Sequence, residues 1–309
     1  MFYDSSCSSK HKDHMLPFRA TFSSFDAGGE KNDMEFLSLV RRRDENKKTA
    51  YVIGTGPSLK GVDMSKLKNE DTITFNRAYV AFDDWGFHPT YYLSIDSQDL
   101  ESISEDIVGL MDQGKIEKYF LPHDSHFYHL ANSNQYRDKI TLLQDTPESW
   151  KMALSFNECI ALGKTNTLIT PILASAGYMG AKMLYLMGYS EVVLLGCDAY
   201  YRTDEESQRS VIWDEDGCVS QEDYDPNHFR DDYFGKGQRF GRPTSTEEQI
   251  QWWNTAAINV DLHKRFDSKE DFNIFSCSEG SKLNSVFPYI PFEEFMLGRR
   301  RPQNIPLER

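Results

Sequence analysis

Seven short apolar runs, separated by stretches with helical periodicity, are the feature that most constrains how this chain can fold. Several runs are apolar throughout instead of alternating, which is typical of strands that are covered on both faces of a sheet. They predict strands at residues 50–54, 72–76, 91–96, 118–121, 140–143, 191–196 and 273–277. The repeated order of strand, helix and strand predicts an α/β fold with a mostly parallel sheet flanked by helices.

Two of the intervening helices carry signals for their ends. Residues 175–186 place apolar side chains at helical spacing, and they are followed by Gly188, a residue type that commonly ends helices. Ser245 and Glu248 have the spacing of a capping box, in which each side chain bonds the backbone of the other residue. We therefore expect one helix to end just before Gly188 and another to begin at Ser245.

The chain of 309 residues suits one large domain with additions or two small domains, since domains commonly contain ~100–200 residues. Residues 1–48 are polar and predict an N-terminal extension, residues 49–296 hold all the apolar runs and predict one α/β domain, and residues 297–309 form a basic tail. Within the domain, residues 199–243 are rich in polar residues and glycine and lack an apolar period. A segment of this kind is typical of an irregular lid inserted over an active site.

A formal charge of −14 limits the partners that the chain could attract. General binding of nucleic acid needs a basic stripe, and the positive residues here are scattered, so we expect no nucleic-acid partner. The arginine clusters 41–43 and 299–301 are each either a solvated run or a point of peripheral contact with anionic lipid. No run approaches the ~18 consecutive apolar residues of a membrane span.

Five cysteines without a CxxC pair predict neither a disulfide framework nor a zinc site, and we expect no resident metal. The first residues lack the apolar region of a secretory signal peptide. Both features favour the reducing cytoplasm as the location of the protein.

The sharpest local signal is an apolar strand that runs directly into a Gly-x-Gly turn, formed by Gly54, Thr55 and Gly56 and followed by Ser58 at the second position beyond it. Glycines let the backbone bend tightly and approach a ligand, and the amides beyond such a turn can face a phosphate or a ribose. The turn lacks the third glycine of the dinucleotide fingerprint and the Gly-Lys pair of a Walker loop. It predicts nucleotide contact, with a purely structural turn as the alternative.

Polar residues also follow the second, third and sixth predicted strands, where Asn76, Asp96 and Asp198 occur. The carboxyl ends of parallel strands meet at one edge, so these side chains are expected to converge on one crevice. Asn76 can donate to a phosphate and accept from a hydroxyl, whereas ionised Asp96 can only accept. Asp198 could be a ligand of Mg²⁺ or a structural cap, and Tyr200 could donate to a leaving phosphate or pack the lid.

Four motifs occur in a fixed order: Gly-Thr-Gly-Pro-Ser-Leu at 54–59, Phe-Asn at 75–76, Ser-Ala-Gly-Tyr-Met at 175–179 and Leu-Gly-Cys-Asp-Ala-Tyr at 195–200. In this order and spacing the chain resembles the bacterial family 42 sialyltransferases. It also resembles the wider superfamily that contains motility-accessory-factor glycosyltransferases and archaeal 6-hydroxymethylpterin pyrophosphokinases. The resemblance covers residues 49–290 and implies a Rossmann-like variant of the GT-A fold with a lid.

By this resemblance the donor is a CMP-activated nonulosonic acid such as sialic acid, and the acceptor is a glycan. The residues implied to hold the nucleotide and its phosphate are Gly54, Thr55, Gly56, Ser58, Asn76, Ser175, Gly177 and Tyr200. Asp96 stands where the sialyltransferases have asparagine and completes the expected donor site. Lys236 lies near the position of the family's lid histidine, and we assign it to the charge of the phosphate. Ile172 stands where the family has an arginine.

His228 is the only histidine in the lid region 199–243, and it is the expected general base. A group that titrates near neutrality removes a proton from an acceptor hydroxyl best. A lysine ammonium ordinarily titrates at about 10, so a lysine would need strong desolvation to accept a proton. The neighbouring acids Asp225, Asp231 and Asp232 could each hold and orient the ring. The alternative is that His228 only caps a turn of the lid.

Together with these observations, the resemblance implies a cytoplasmic, inverting glycosyltransferase that moves an acidic sugar from a CMP donor to a glycan acceptor in surface polysaccharide synthesis. His228 and Tyr200 are the expected catalytic residues, and neither a cofactor nor an obligatory metal is expected. A second interpretation is a pyrophosphokinase of the 6-hydroxymethylpterin type, which needs Mg²⁺ held by carboxylates such as Asp96 and Asp198. A third is a non-catalytic nucleotide-binding scaffold. The sequence leaves open whether the chain forms a homo-oligomer.

Overall fold

The computed structural model describes residues 39–40, 46–95, 97–123, 125–146, 159–172, 175–202, 211–214, 217–241, 244–266 and 272–303. The strands in these ranges are β1 (Thr49–Ile53), β2 (Asp71–Phe75), β3 (Tyr91–Leu93), β4 (Lys118–Pro122), β5 (Ile140–Gln144), β6 (Ile160–Leu162), β7 (Thr167–Ile169), β8 (Glu191–Leu195), β9 (Val211–Asp214), β10 (Gly217–Ser220), β11 (Arg239–Phe240) and β12 (Asn273–Ser276). The helices with described bounds are α1 (Phe82–Trp85), α2 (Ser97–Gln113), α3 (Ser125–Ala131), α4 (Ala176–Leu186), α5 (Thr246–Phe266) and α6 (Phe292–Met296).

Nine of the strands form one sheet in the order β12-β8-β1-β2-β3-β4-β5-β7-β6. Neighbouring strands in it are parallel, except for β6 and β7, which are antiparallel. All seven strands predicted from the apolar runs are confirmed, with ends that differ by up to three residues. The predicted class, a Rossmann-like and mostly parallel sheet flanked by helices, is confirmed as well.

Strand β1 shows why an apolar run without alternation marks this sheet. Ala50 and Val52 belong to a core on one face, together with residues of α4 and α5. Tyr51 and Ile53 belong to a core on the opposite face, together with residues of α2 and α6. Because both faces are buried, both alternating sets of side chains must be apolar.

The helix ends predicted from the sequence are confirmed. Ser175 is the N-cap of α4, and its hydroxyl accepts a bond from the backbone N–H of Tyr178. Gly188 follows the end of this helix with a φ of +86°, the left-handed conformation that glycine adopts without strain. At the start of α5, Ser245 N–H donates to Glu248 Oε2, and Glu248 N–H donates to Ser245 Oγ, each at 3.2 Å.

The lid region contains regular structure that the sequence analysis did not predict. Strands β9, β10 and β11 form a second, antiparallel sheet in the order β11-β10-β9. An Asp-Gly pair at 216–217 separates two short β-rich runs, which is a hairpin signal that the irregular interpretation overlooked. The pair β6 and β7 was also not predicted, because three residues in each strand are too few to show a period.

The strand order places a topological switch point between β1 and β8. From β1 the chain adds strands on one side of the sheet, and it then returns to place β8 on the other side of β1. The loops that leave the carboxyl ends of β1 and β8 therefore diverge. Ligands of open α/β sheets bind in crevices of this kind, so the topology alone indicates where to look for the site.

Part of the predicted basic tail packs against the domain. The guanidinium of Arg300 lies 3.5 Å from the centroid of the Phe295 ring, and its Nη2 donates to Glu191 at 3.3 Å. Among the described helices, none is both long and apolar enough to cross a bilayer. The extension predicted for residues 1–48 lies largely outside the described residues, so its boundary stays a prediction.

Candidate functional site

A cleft of about 410 Å³ lies at the switch point, at the carboxyl ends of β1, β2 and β8. The strand ends contribute Thr55, Gly56, Phe75, Asn76, Gly196, Cys197, Asp198, Ala199, Tyr200 and Tyr201 to its lining. The start of α4 contributes Ser175, Ala176 and Gly177, and the lid region contributes Asn227, His228, Tyr233, Phe234, Phe240 and Gly241. Most of the residues singled out from the sequence therefore come together in one place.

The Gly-x-Gly turn is tied directly to the turn that follows β8. Gly54 N–H donates to Leu195 O at 2.6 Å, and Gly56 N–H donates to Gly196 O at 2.8 Å. A Cβ at Gly54 would overlap the carbonyl of Gly196, and one at Gly56 would overlap the carboxyl of Asp198. These two glycines are needed because two turns meet at close range. Gly56 also lines the cleft, so contact of this turn with a nucleotide, the reason offered from the sequence, stays a prediction.

The carboxylate of Asp198 holds the turn after β1 in place. It accepts from Ser58 N at 2.9 Å and also from the Ser58 hydroxyl. Burial raises the pKa of Asp198, and the bonds from Ser58 act in the opposite direction. Of the two roles that the sequence left open, these contacts match the structural cap. Ser58 is not among the residues that line the cleft, because its hydroxyl points to Asp198.

The loop after β12 supports the turn after β8, a contact that no local sequence signal predicts. Gly196 N–H donates to Ser278 Oγ at 2.7 Å, and Ser281 Oγ donates to Cys197 O at 2.7 Å. Lys282 N–H donates to Asp198 O at 3.0 Å. These bonds hold a segment in which Gly196 and Ala199 both have positive φ, of 64° and 50°. The supporting serines lie about 80 residues further along the chain.

Asn76, directly after β2, presents an amide to the cleft. Its φ of 52° lies in the left-handed region, which asparagine tolerates better than most residues. Ser94 Oγ donates to Asn76 Oδ1 at 3.2 Å, and Tyr92 donates to the Asn76 carbonyl. Among the described residues, Nδ2 has no hydrogen-bond partner. The side chain is therefore oriented with a free donor available to a ligand in the cleft.

The N-terminus of α4 faces the same space. Ser175 caps the helix by accepting from Tyr178 N–H, and among the described residues the N–H groups of Ala176 and Gly177 have no hydrogen-bond partner. Helix N-termini favour anions through these N–H groups and the helix dipole. A Cβ at Gly177 would lie 3.3 Å from Cys197 Sγ, so this glycine lets α4 pack close to the turn after β8.

Residues 225–234, here named the inner lid segment, are attached to the strand side of the cleft. Phe229 N–H donates to Thr55 O at 2.9 Å. Arg77 N–H donates to the hydroxyl of Tyr233 at 3.1 Å, and Arg77 Nε donates to the Tyr233 carbonyl at 3.0 Å. The segment thereby closes one side of the cleft, next to the turn after β1 and the residue that follows Asn76.

His228 is the central residue of the inner lid segment and is only 6% exposed. Its Nδ1 lies 2.7 Å from Asp225 Oδ2. Its ring is stacked on Tyr233, with centroids 4.1 Å apart and planes 7° from parallel. Edge contacts with Tyr201 and Phe234 complete an aromatic surround. The ring is thus held in one orientation at the wall of the cleft.

Three other predicted site residues lie in different settings. Tyr200 lines the cleft at its rim, 45% exposed, with Lys282 Nζ 5.5 Å from its ring centroid. Lys236 is exposed on the turn between β10 and β11, where its N–H donates to Asp223 Oδ1, and it is not among the lining residues. Asp96 lies outside the described residues.

The lining combines neutral donors with aromatic rings. Among the described residues of the cleft, none is a lysine or arginine, so an anionic ligand would be held by amide, hydroxyl and helix N–H groups. Phe234 and Phe240 stack with centroids 4.4 Å apart and add an apolar surface at the lid side. Burial raises the pKa of the Cys197 thiol, which makes this cysteine a packing residue.

No family model matches the chain, and no curated protein matches it. Among solved structures, the sialyltransferase CstII from Campylobacter jejuni in complex with the substrate analogue CMP-3FNeuAc is 16% identical, with a TM-score of 0.42 over 84% of this chain and 89% of that one. CstII in complex with a trisaccharide acceptor and CMP is 15% identical, with a TM-score of 0.41 over 79% and 86%. The MAf glycosyltransferase from Magnetospirillum magneticum AMB-1 is 13% identical, with a TM-score of 0.40 over 89% of this chain and 39% of that one. A likeness this weak identifies no activity for this chain. An assignment of activity must therefore be argued from the residues of the cleft.

Proposed function

We propose that the protein is an inverting glycosyltransferase that moves a nonulosonic sugar, of the sialic acid kind, from a CMP donor to a glycan acceptor in the synthesis of a surface polysaccharide. The observation that carries this proposal is the pairing, in one cleft, of free anion donors at the strand ends with a buried histidine–carboxylate pair from the lid. The first set suits a phosphate, and the second suits removal of a proton from a hydroxyl.

The donor side would hold one phosphodiester and one sugar carboxylate. Asn76 Nδ2 and the N–H groups at the start of α4 are the proposed donors to these anions, and the Tyr200 hydroxyl donates to the phosphate from the rim. Fixed dipoles of this kind stabilise charge without reorganisation during the reaction. Because the chain carries a net charge of −14, local donors rather than the overall field must favour the anionic substrate.

In the proposed reaction an acceptor hydroxyl oxygen attacks the anomeric carbon as the bond to the phosphate oxygen breaks. His228 takes the hydroxyl proton, and the departing electron pair stays on CMP, whose phosphate accepts a hydrogen bond from Tyr200. The aromatic side chains on the lid side offer faces on which a sugar ring can pack. The proposal uses the two substrates alone, with no cofactor, in the cytoplasm.

The pyrophosphokinase alternative has less support from the described residues. It would need carboxylates free to hold Mg²⁺, and both oxygens of Asp198 already accept from Ser58. Within the described ranges, no three His, Cys, Asp or Glu side chains are grouped as a metal site. Asp96, the other candidate ligand, lies outside those ranges.

Calorimetric titration and a CMP-release assay test the proposal together. CMP is expected to bind without added metal, and His228→Ala is expected to lower turnover by ~10²–10⁴ while CMP affinity stays unchanged. Binding of ATP only with Mg²⁺, and no binding of CMP, would favour the pyrophosphokinase. CMP binding without turnover of a CMP-nonulosonate on any of a panel of glycans would favour the scaffold.

A further inference from the structure

The contact between Asp225 and His228 bears on which ring nitrogen of His228 carries the hydrogen. Asp225 is 7% exposed, and each of its carboxylate oxygens has one partner. Oδ1 accepts from Asn227 N–H at 2.9 Å, and Oδ2 lies 2.7 Å from His228 Nδ1. The backbone of Asp225 is held as well, since its N–H donates to Asp231 O at 2.7 Å.

From this geometry, and resting on the proposed function, we propose that Asp225 is a positioning residue that holds His228 in the tautomer able to act as the base. An ionised carboxylate can only accept hydrogen bonds, so His228 Nδ1 must carry the hydrogen and donate it. The neutral ring then has its lone pair on Nε2. Within the described residues, Nε2 has no hydrogen-bond partner, and His228 lines the cleft.

The ring cannot turn away from this arrangement without losing several contacts. Its stack on Tyr233 fixes the plane of the ring, and the bond to Asp225 fixes rotation within that plane. Tyr233 is itself fixed by two bonds from Arg77. When Nε2 takes the proton of the acceptor hydroxyl, the imidazolium lies beside the buried carboxylate of Asp225, which stabilises it.

A purely structural role for Asp225 makes a different prediction, and Asp225→Asn separates the two. The amide oxygen of asparagine can still accept from Asn227 N–H, so the turn is preserved. The amide nitrogen then faces His228 Nδ1 as a donor, which forces Nδ1 to accept and places the hydrogen on Nε2. The variant should fold normally but hold the histidine in the unreactive tautomer.

The first test needs no substrate. Nitrogen NMR of the ¹⁵N-histidine-labelled protein, with the His228 signals assigned by their loss in His228→Ala, is expected to show hydrogen on Nδ1 in the wild type and on Nε2 in Asp225→Asn. Asp223→Asn removes the same charge from an exposed carboxylate of the lid and is the matched control, with an unchanged tautomer. Hydrogen on Nε2 in the wild type would overturn the proposal.

The second test measures CMP release from CMP-N-acetylneuraminate on the oligosaccharide that the wild type uses fastest. Asp225→Asn is expected to lower kcat by ~10²-fold with little change in the KM of the donor, and to cause no further loss in the His228→Ala background. Wild-type kcat in Asp225→Asn, or a further loss in the double variant, would overturn the positioning role. If the wild type releases no CMP, the proposed function fails, while the NMR result still decides the tautomer.

Discussion

The two sides of the cleft are held in place by different kinds of contact. The strand side consists of the turns after β1 and β8 and the loop after β12, and it is fixed by backbone bonds and small hydroxyls, as between Gly56 and Gly196. The inner lid segment has one backbone bond to that side, from Phe229 to Thr55, and is otherwise held by side chains such as Tyr233. The strand side leaves no room for an added atom at Gly54, whereas the lid depends on contacts that can be removed one at a time.

Under the proposed function, this difference would divide the tasks between a rigid donor site and a base carried by a segment that opens. Segments with few buried backbone contacts open at lower free energy than the strands of a core. Under the proposed function, the nucleotide site would persist when the lid opens, and His228 would leave with the lid. Changes on the strand side should therefore damage the fold, and changes on the lid should damage turnover first.

The largest effect is expected for Gly54→Ala. The new Cβ would overlap the carbonyl of Gly196, and backbone on both sides leaves nothing that can move cheaply, so we expect a loss of ~3 kcal/mol or more in the free energy of unfolding. Urea denaturation measures it. Gly109→Ala in α2 is the matched control, because its Cβ would meet nothing within 4 Å, and it should stabilise the protein by ~0.5–1 kcal/mol. Equal stability of both variants would contradict the close packing of the two turns.

A smaller effect, on binding alone, is expected for Asn76→Gly. Glycine keeps the left-handed backbone without strain and removes the amide, so CMP affinity should fall by the ~1.5–3 kcal/mol of a hydrogen bond to a charged group. Calorimetry measures it. Asn76→Ala should lose the same affinity but also ~1 kcal/mol of stability, because alanine resists a φ of 52°. Unchanged affinity in the glycine variant would remove Asn76 from the donor site.

The same contrast explains how much of the molecule could be predicted from sequence. All seven predicted strands are present, because a strand buried on both faces must be apolar at every position, as β1 is. Helix ends were predictable because their signals are local, as Ser175 and Gly188 illustrate. The clustering of Asn76 with the Gly-x-Gly turn followed from the rule that parallel strands end at one edge.

The contacts of the lid and of the loop after β12 could not be predicted, because they join residues far apart in the chain. Arg77 bonds Tyr233 across 156 positions, and the loop after β12 bonds Gly196 across 82. No periodicity or spacing reports such pairs. The role of Asp225 lay within reach, since it is three residues from His228, but the sequence did not distinguish it from Asp231 or Asp232.

A change in relative stability with pH is expected for Asp198→Asn, which removes the buried charge. The amide oxygen can still accept from Ser58 N–H, whereas the amide nitrogen can only donate, so the Ser58 hydroxyl must turn to accept from it. Burial raises the pKa of Asp198 in the folded chain, so its protonated form favours folding. That stability is present below the usual pKa of about 4 and is lost as the pH rises through the folded pKa. The asparagine variant should therefore gain on the wild type in urea denaturation between pH 4 and pH 8.

The CMP affinity of the Asp198→Asn variant tests whether this carboxylate has a role in ligand binding. Asp198 lines the cleft, so removal of its charge should leave CMP affinity unchanged or slightly higher. Loss of Mg²⁺-dependent binding of ATP in Asp198→Asn would instead assign this carboxylate to a metal, as the pyrophosphokinase interpretation requires.

The smallest effect is expected for Arg230→Ala, which removes the ion pairs of Arg230 and leaves the aromatic stack of the lid and the pair between Lys60 and Asp231. Arg230 pairs with Asp84 across the chain and with Asp232 beside it, and both carboxylates are about two-thirds exposed. Exposed pairs contribute only ~0.2–1 kcal/mol and are screened by salt, so global unfolding should barely change. Exchange of the Phe229 N–H, which bonds Thr55, should quicken by ~1.4–5-fold at low salt, and the difference should vanish near ~1 M salt. Arg299→Ala, which breaks a pair with Glu294 outside the lid, should leave that exchange unchanged. A much larger acceleration in Arg230→Ala would mean that ion pairs, and not the stack of His228 on Tyr233, hold His228 against the cleft.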